Sequence, residues 1–193
     1  MSEKEDIKSV LKSLVFFVLL ALFFRASALA AYKIPSSSME DTLQIGDHIF
    51  VNKLSYGFRL PFMTHTILDY DLPERGDIVV FTLPENSSID IIKRVIALPG
   101  DEIEVLGKKV FINGKEYVDD ARYAIWREGG LRDFGPVIVP PDHVILLGDN
   151  RDHSRDSRFW DSPFLPRSRI VGRAFVIWWN WSKPKERMFT MIR

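Results

Sequence analysis

Three consecutive serines, Ser36 to Ser38, follow an apolar N-terminal segment, and a serine hydroxyl can attack a carbonyl group. The hydroxyl is a weak nucleophile, so a catalytic serine needs a base within hydrogen-bond reach and donors that stabilise the oxyanion. Without such partners the three serines would be only a polar linker. The remaining sequence must therefore supply a candidate base.

Histidine is the usual base for a serine, and the chain has four, at positions 48, 65, 143 and 153. Each lies beside polar or turn residues, which is more typical of structural or exposed histidines than of catalytic ones. His153 is the strongest of them because the neighbouring Asp149, Asp152 and Asp156 include a carboxylate that could orient its imidazole. A Ser-His-Asp triad is therefore one hypothesis.

A lysine is the other candidate base, provided that its pKa falls by several units from about 10.4. In the run from Asp90 to Leu98, strand alternation places Lys93 on the same face as Ile91 and Val95. Burial of that face would desolvate the amine and lower its pKa. A lysine that protects an edge strand explains the same pattern, and Lys53 is a second candidate base, so the pattern alone leaves these alternatives open.

Composition excludes several classes of function. With 193 residues, 46% of them hydrophobic, the chain can bury the core of one ordinary domain. Its 26 basic and 26 acidic residues give no positive excess, so nucleic acid is not an expected partner. There is no cysteine, which excludes thiolate catalysis and thiolate metal sites.

The acidic run after Gly148 does not fit a calcium loop. An EF-hand beginning at Asp152 would need Gly at its sixth position and Glu at its twelfth, where this chain has Ser157 and Pro163. We therefore expect no metal and no cofactor.

An apolar run from Ser13 to Phe24 follows lysines at positions 4, 8 and 12. Roughly 20 helical residues are needed to cross a bilayer, so a span must continue to Tyr32, with the Arg25 side chain reaching an interface. We expect a cytoplasmic tail over 1–12 and a transmembrane helix over 13–32, with export of the rest of the chain. A cleavable signal peptide is the alternative, since Ala28-Leu29-Ala30 resembles a cleavage site.

From Lys33 onward, short apolar or alternating runs are broken by Gly, Pro, Asp and Asn, which predicts a mainly β fold. The predicted strands cover 48–54, 77–83, 89–98, 102–105, 109–112, 137–147 and 170–179. Asn113-Gly114 predicts a hairpin turn. Residues 106–141 are richer in charged and turn residues, and we expect a small insertion subdomain there, between catalytic-domain segments 33–105 and 142–193.

A cluster of indoles lies near the C-terminus, at Trp178, Trp179 and Trp181. Packing in the core and a belt at a membrane interface explain it equally well.

Four segments resemble, in order and spacing, the conserved boxes of type I signal peptidases, the bacterial leader peptidases. The resemblance extends over most of the region from Ile34 to Trp178. Its boxes are Pro35-Ser36-Ser37-Ser38-Met39-Glu40-Asp41-Thr42-Leu43, Gly46 to Lys53, Arg75 to Phe81 with Ile92 to Asp101, and Gly148 to Trp160.

The resemblance implies a catalytic dyad. Ser38, before the methionine of the first box, takes the position of the nucleophile, and Lys93 takes that of the general base. The Ser38 backbone N–H and the Ser36 hydroxyl would form the oxyanion hole, with Ser37 as a spacer. The hydroxyl of Ser154 would orient the lysine amine, and Gly148 would allow that loop to approach Lys93 without a Cβ.

The resemblance also implies supporting ion pairs and a binding cleft. Arg94 with Asp149, and Asp156 with Arg158, would hold the loop. Apolar side chains would form shallow pockets that admit alanine, and the substrate would add as a strand beside residues 34–36 and 90–92. The implied substrate-binding residues are Ile34, Pro35, Met39, Leu43, Ile49, Val80, Ile91 and Ile92.

The sequence therefore predicts a mainly β, signal-peptidase-like domain with a small β insertion, preceded by one N-terminal transmembrane helix. Its expected function is that of a membrane-anchored serine endopeptidase, which cleaves signal peptides from secretory preproteins after small residues at −1 and −3. We expect it in the bacterial plasma membrane, in contact with the lipid bilayer, with the catalytic domain outside the cytoplasm. The alternative is a non-catalytic exported β module that binds or assembles in the envelope.

Overall fold

The computed structural model describes residues 2–58, 68–69, 71–127 and 133–192. An N-terminal helix, α1 (Ser2–Ala28), precedes fourteen described strands, and a short helix, α2 (Pro184–Arg187), lies near the C-terminus. The strands are β1 (Leu29–Lys33), β2 (Asp47–Asn52), β3 (Gly57–Phe58), β4 (Leu68–Asp69), β5 (Ile78–Leu83), β6 (Asn86–Ala97), β7 (Glu102–Leu106), β8 (Lys109–Ile112), β9 (Lys115–Glu116), β10 (Phe134–Ile138), β11 (His143–Leu147), β12 (Leu165–Pro166), β13 (Ile170–Asn180) and β14 (Thr190–Met191). The mainly β class is therefore confirmed.

The largest sheet has the order β1-β2-β13-β5-β6-β11-β12, and β14 also pairs with β13. All its pairings are antiparallel. Along β5, Ile78 and Val80 enter one apolar cluster while Val79 and Phe81 enter another. Because successive side chains of a strand point to opposite faces, this sheet is covered on both sides, and its central strands are apolar throughout.

A second sheet, β10-β7-β8-β9, is formed largely by strands from the predicted insertion. It begins at Glu102, four residues before the predicted boundary, and its side chains Ile103, Val105 and Val110 share a core cluster with Ile96 and Ile145 of the large sheet. The hairpin between β8 and β9 is confirmed: Asn113 and Gly114 have φ angles of 53° and 73°. Residues 128–132, which include the turn residues Gly129 and Gly130 of the predicted insertion, lie outside the described residues.

Two boundaries differ from those expected. The predicted strand 137–147 is two strands, because Pro140 and Pro141 cannot donate ladder hydrogen bonds. The N-terminal helix ends at Ala28, and residues 29–33 form β1, whose Tyr32 pairs with Ile49 of β2. The pairing with β2 satisfies the backbone groups that a longer helix would have bonded internally.

No helix in the described ranges is both long and apolar enough to count as a membrane span, so the transmembrane helix expected over 13–32 is not found. The side chain of Arg25 lies outside the described residues. Ala28-Leu29-Ala30 lies at the junction of α1 and β1, with Leu29 and Ala30 paired to Asn52 and Val51. Cleavage after Ala30 would therefore require β1 to leave the sheet.

Candidate active site

The loop from Ile34 to Gly46 carries the serines between β1 and β2. Its ends are joined by backbone hydrogen bonds, from Ile34 N to Asp47 O (2.8 Å) and from Gly46 N to Ile34 O (2.9 Å). Met39 and Leu43 anchor its middle as fully buried side chains of the core. Ser38 directly precedes the first anchor and is itself 8% exposed. The loop thus presents one serine hydroxyl from a fixed backbone.

Lys93 lies on β6, between β5 and β11. Its Nζ is 2.7 Å from Ser38 Oγ and 2.8 Å from the carbonyl oxygen of Ile92. Desolvation by burial lowers the pKa of Lys93 to about 8, against the opposing charges of Asp156 and Asp149. The edge-strand explanation for Lys93 is wrong, because a lysine that protects an edge must be exposed to water and this residue is only 4% exposed.

The other candidate bases do not reach the serine. His153 is exposed, and the hydrogen bonds found for Ser38 Oγ within the described ranges are with Lys93 and Ser36, not with a histidine. Lys53 is half-buried on the turn after β2. A neutral Lys93 can accept the Ser38 proton directly, so the arrangement fits a serine–lysine dyad better than a triad.

Ser36 and Ser38 lie side by side, with their hydroxyl oxygens 3.5 Å apart. Ser36 is exposed toward the cleft and can rotate its hydroxyl, whereas the carbonyl of Ser38 accepts a hydrogen bond from Asn150 N at 3.1 Å. The Asn150 side chain also donates to the Ser37 carbonyl at 3.1 Å. These two bonds fix the backbone on either side of the Ser38 N–H, the second expected oxyanion donor.

Gly148 lies where the loop after β11 meets the nucleophile. A Cβ at this position would be 2.2 Å from Ser154 Oγ and 2.5 Å from the carbonyl oxygen of Ser38. The close approach accounts for glycine here, since any side chain would push the two segments apart. Ser154 Oγ is buried and has no hydrogen-bond partner in the part of the chain described, so its expected bond to the lysine amine is not present.

Both expected ion pairs are present and buried. Arg94 donates to Asp149 through Nε (2.8 Å) and Nη2 (2.7 Å), and Arg158 donates to Asp156 at 2.8 and 2.9 Å. Asp156 also accepts from Gly148 N at 2.9 Å. Bidentate pairs of this kind satisfy the lone pairs of a carboxylate that burial would otherwise penalise. They hold the 148–158 loop beside the dyad.

An open cleft leads away from Ser38 and Lys93. Six of the eight expected substrate-binding residues line it, namely Ile34, Pro35, Ile49, Val80, Ile91 and Ile92. Met39 and Leu43 do not; they are fully buried beneath the loop in the cluster that also contains Ile34 and Ile49. Their role is therefore to support the cleft wall rather than to touch a substrate.

Several contacts around the site were not predicted. Thr42 Oγ1 donates to Asp149 at 2.6 Å, and the guanidinium of Arg94 lies 3.8 Å from the centre of the Tyr123 ring. Arg151 forms a bidentate pair with Asp120, which lies in the predicted insertion. The partners are 29 or more residues apart in the chain, so no local pattern predicts these contacts. The excess of arginine and aspartate between 148 and 158 was the only hint.

Near the C-terminus, Arg187 donates to the carboxylate of the fully buried Asp47 and, at 2.9 Å, to the carbonyl of Thr42 in the nucleophile loop.

The tryptophans near the C-terminus differ in their surroundings: some pack against other rings and one is exposed to solvent. Trp178 stacks on Phe50, whereas Trp181 is 76% exposed.

Among the described residues, no group of three His, Asp or Glu side chains could hold a metal ion.

Comparison with known proteins identifies the family. Residues 7–179 match the family model described as signal peptidase, peptidase S26. A signal peptidase I of Pseudomonas fluorescens is 36% identical in an alignment that covers 89% of this chain and 71% of the relative. A probable signal peptidase I-2 of Synechocystis is 42% identical, covering 87% and 71%, and a signal peptidase I of Aquifex aeolicus is 35% identical, covering 88% and 84%. The chain therefore belongs to the signal peptidase family, peptidase S26, and is a hydrolase of the signal peptidase I class.

Proposed function

We propose that Ser38 and Lys93 form a catalytic dyad that cleaves signal peptides from secretory preproteins after small residues at −1 and −3. The observation that carries the proposal is the 2.7 Å separation of Lys93 Nζ from Ser38 Oγ at a buried position. At a pKa of about 8, a useful fraction of the amine is neutral near physiological pH. The non-catalytic envelope module is disfavoured by the family to which the chain belongs.

The chemistry follows from the geometry of the dyad. Ser38 Oγ attacks the scissile carbonyl carbon while its proton passes to Lys93 Nζ. The new oxyanion accepts hydrogen bonds from the Ser38 N–H and the Ser36 hydroxyl. The C–N bond then breaks, and the Lys93 ammonium gives its proton to the leaving amine. Water then attacks the serine ester while its proton passes to Lys93 Nζ; the ester C–O bond breaks, and the Lys93 ammonium returns the proton to Ser38 Oγ, which restores the dyad.

The walls of the cleft support selection of small residues. Ile34, Ile49, Val80 and Ile92 line the cleft near Ser38 and pack in the core beneath it, and we expect only shallow apolar pockets between them. A large side chain at −1 or −3 would have to displace part of the core to enter. Because well-packed cores resist such displacement, discrimination would be mainly steric, with the extended backbone of the substrate supplying affinity.

Helix α1 supports contact with a lipid bilayer. Large apolar side chains along it are exposed, where a water-soluble helix would carry polar ones. They are Val10, Leu11, Leu14, Val15, Phe16, Phe17, Val18, Leu19, Leu20, Leu22 and Phe23. We place the β domain outside the cytoplasm, because lysines before the apolar run favour a cytoplasmic N-terminus. Flotation of the full chain with vesicles of neutral phospholipid tests the lipid contact; failure to float contradicts it.

A cleavage assay with the full chain tests the dyad. The substrate is a preprotein with Ala at −1 and −3, and the variants are Ser38→Ala and Lys93→Met, with Ser37→Ala as the neighbouring control. Both dyad variants should lose activity by at least about 10³-fold, while Ser37→Ala and His153→Asn stay near the wild-type rate. Substantial turnover by Ser38→Ala or Lys93→Met refutes the dyad, and loss of activity in His153→Asn restores the triad.

A further inference from the structure

Among the described residues that line the cleft, Asp90 alone carries a carboxylate, and the proposed dyad does not use it. Asp90 lines the cleft together with Tyr32, Ile91 and Ile92, three residues before Lys93 on β6. Its side chain is held on both oxygens: Tyr32 Oη donates to Oδ2 at 2.9 Å, and Thr82 Oγ1 donates to Oδ1 at 2.9 Å. The two donors come from β1 and β5, so the carboxylate has one fixed direction although it is exposed.

The charge of Asp90 is not neutralised by a neighbouring side chain. No ion pair of Asp90 is found in the described parts of the chain, and both of its observed partners are neutral hydroxyls. The cations in the cleft lining are Lys33, which is exposed, and Lys93, which is buried at the nucleophile. Since a carboxylate offers about four lone-pair sites, Asp90 keeps acceptor capacity for a further donor.

The position of Asp90 indicates which part of a substrate it would meet. A strand advances about 3.3 Å per residue, so Asp90 lies roughly 10 Å along β6 from Lys93. An extended substrate with its −1 residue at Ser38 would cover that distance in about three further residues. The side chain facing Asp90 would then belong to the segment just before −3, at −4, −5 or −6.

We propose that Asp90 is a specificity residue that favours Lys or Arg over Asp or Glu in the substrate segment just before the −3 position. This inference rests on the proposed cleavage of signal peptides, which it makes more specific. The attraction acts at an exposed site, so its expected size is modest. Attraction of Lys together with repulsion of Glu predicts roughly a fivefold difference in kcat/KM between two otherwise identical peptides.

Asp90 could instead serve only to join β1 and β5 through its two hydroxyl partners. The two roles respond differently to reversal of charge. A purely structural residue, when replaced, slows all substrates in the same proportion. A specificity residue changes the ratio between substrates of opposite charge.

The experiment measures kcat/KM for peptides with Ala at −1 and −3 that differ only at −4, −5 or −6, where each carries Lys, Gln or Glu. The enzymes are the wild-type chain, Asp90→Asn, Asp90→Lys and the control Glu85→Gln. Glu85 is an exposed carboxylate on the turn between β5 and β6, outside the cleft lining. At one of the three positions, the wild type and Glu85→Gln should prefer Lys over Glu roughly fivefold. The ratio of kcat/KM for the Lys peptide to that for the Glu peptide should fall to about one in Asp90→Asn and below one in Asp90→Lys.

The outcomes separate the inference from the proposed function. If the wild type cleaves the Gln peptides but shows equal kcat/KM for Lys and Glu at all three positions, the role of Asp90 is refuted while the dyad stands. An unchanged preference in Asp90→Asn refutes it as well. If the wild type cleaves none of the peptides, the proposed function itself fails. A wild-type preference that shrinks in 1 M NaCl further supports a charge interaction.

Discussion

The amine of Lys93 lies 2.7 Å from the hydroxyl of Ser38, and burial lowers the pKa of that amine to about 8. Only the neutral amine can accept the serine proton. We therefore expect kcat/KM to rise with pH through about pH 8, where half of the amine is deprotonated, and to level off about one pH unit higher. This rise in kcat/KM is measured from initial rates between pH 6 and 9.5 on a substrate without titratable groups. A rate that stays constant below pH 8 contradicts Lys93 as the base.

The same burial predicts an effect on stability. Between about pH 8 and the ordinary lysine pKa of 10.5, the unfolded chain binds a proton at Lys93 that the folded chain does not, so the free energy of unfolding rises with pH across this window. Below pH 8 the buried amine costs about 3 kcal/mol. Lys93→Met, which fills the site with an apolar chain of similar length, should be more stable than the wild type at pH 7. The difference should shrink toward pH 10.5 in urea unfolding, and a difference independent of pH contradicts the assignment.

Gly148→Ala should damage the site more than the fold. The added Cβ would lie 2.5 Å from the carbonyl of Ser38 and 2.2 Å from Ser154 Oγ, so the nucleophile loop must shift. A displacement of about 1 Å costs roughly 100-fold in rate. Gly114→Ala is the control, because its φ of +73° strains the hairpin turn but no atom lies within 4 Å of the new Cβ. That variant should lose about 1 kcal/mol of stability and keep its activity. Equal activities of the two variants contradict the argument.

Asp149→Asn should be strongly destabilising. It leaves the guanidinium of Arg94 buried without its charge partner, which costs about 3–5 kcal/mol in the free energy of unfolding. Arg122→Gln breaks the exposed pair with Asp119 and should change stability by less than about 0.5 kcal/mol. Chemical denaturation of both variants measures the contrast. A small effect of Asp149→Asn would mean that Tyr123 and the Gly76 carbonyl satisfy Arg94 without the aspartate.

Arg187→Leu tests whether the C-terminal segment supports the nucleophile loop. The change removes donors from the fully buried Asp47 and from the Thr42 carbonyl. We expect a loss of about 3 kcal/mol in stability together with a lower kcat. Lys185→Gln, an exposed position on the same short helix α2, is the control and should leave both unchanged. Full activity and stability of Arg187→Leu would show that the loop does not depend on this contact.

Much of the fold was predictable from local patterns. The alternating runs placed β2, β5, β6 and β13 within a few residues of their observed ends, and Asn113-Gly114 placed the β8–β9 turn. The split between β10 and β11 was missed because the apolar residues on both sides of Pro140-Pro141 gave one continuous signal. The end of α1 was missed because Leu29 to Tyr32 are apolar, and only pairing with β2 makes them a strand.

The candidate site divides in the same way. The resemblance of four sequence boxes to type I signal peptidases indicates the candidate serine, the candidate lysine and the two ion pairs, because such boxes are local properties of the chain. Periodicity could not decide whether Lys93 is buried, since an edge strand and an inner strand share one pattern. It also gave no signal for Arg187 beneath the nucleophile loop, or for the two hydroxyls that hold Asp90.

By itself, then, the sequence determined the β class, the identities of the nucleophile and base candidates, and the apolar character of the cleft. The tertiary structure alone decided that β6 lies between β5 and β11 and that the Lys93 side chain is buried away from water. It also decided that Met39 and Leu43 support the wall of the cleft from beneath and do not line it. The physical reason is that desolvation, the cause of the lowered pKa, arises from neighbours distant in the chain. No local pattern of residues specifies which strands those neighbours come from.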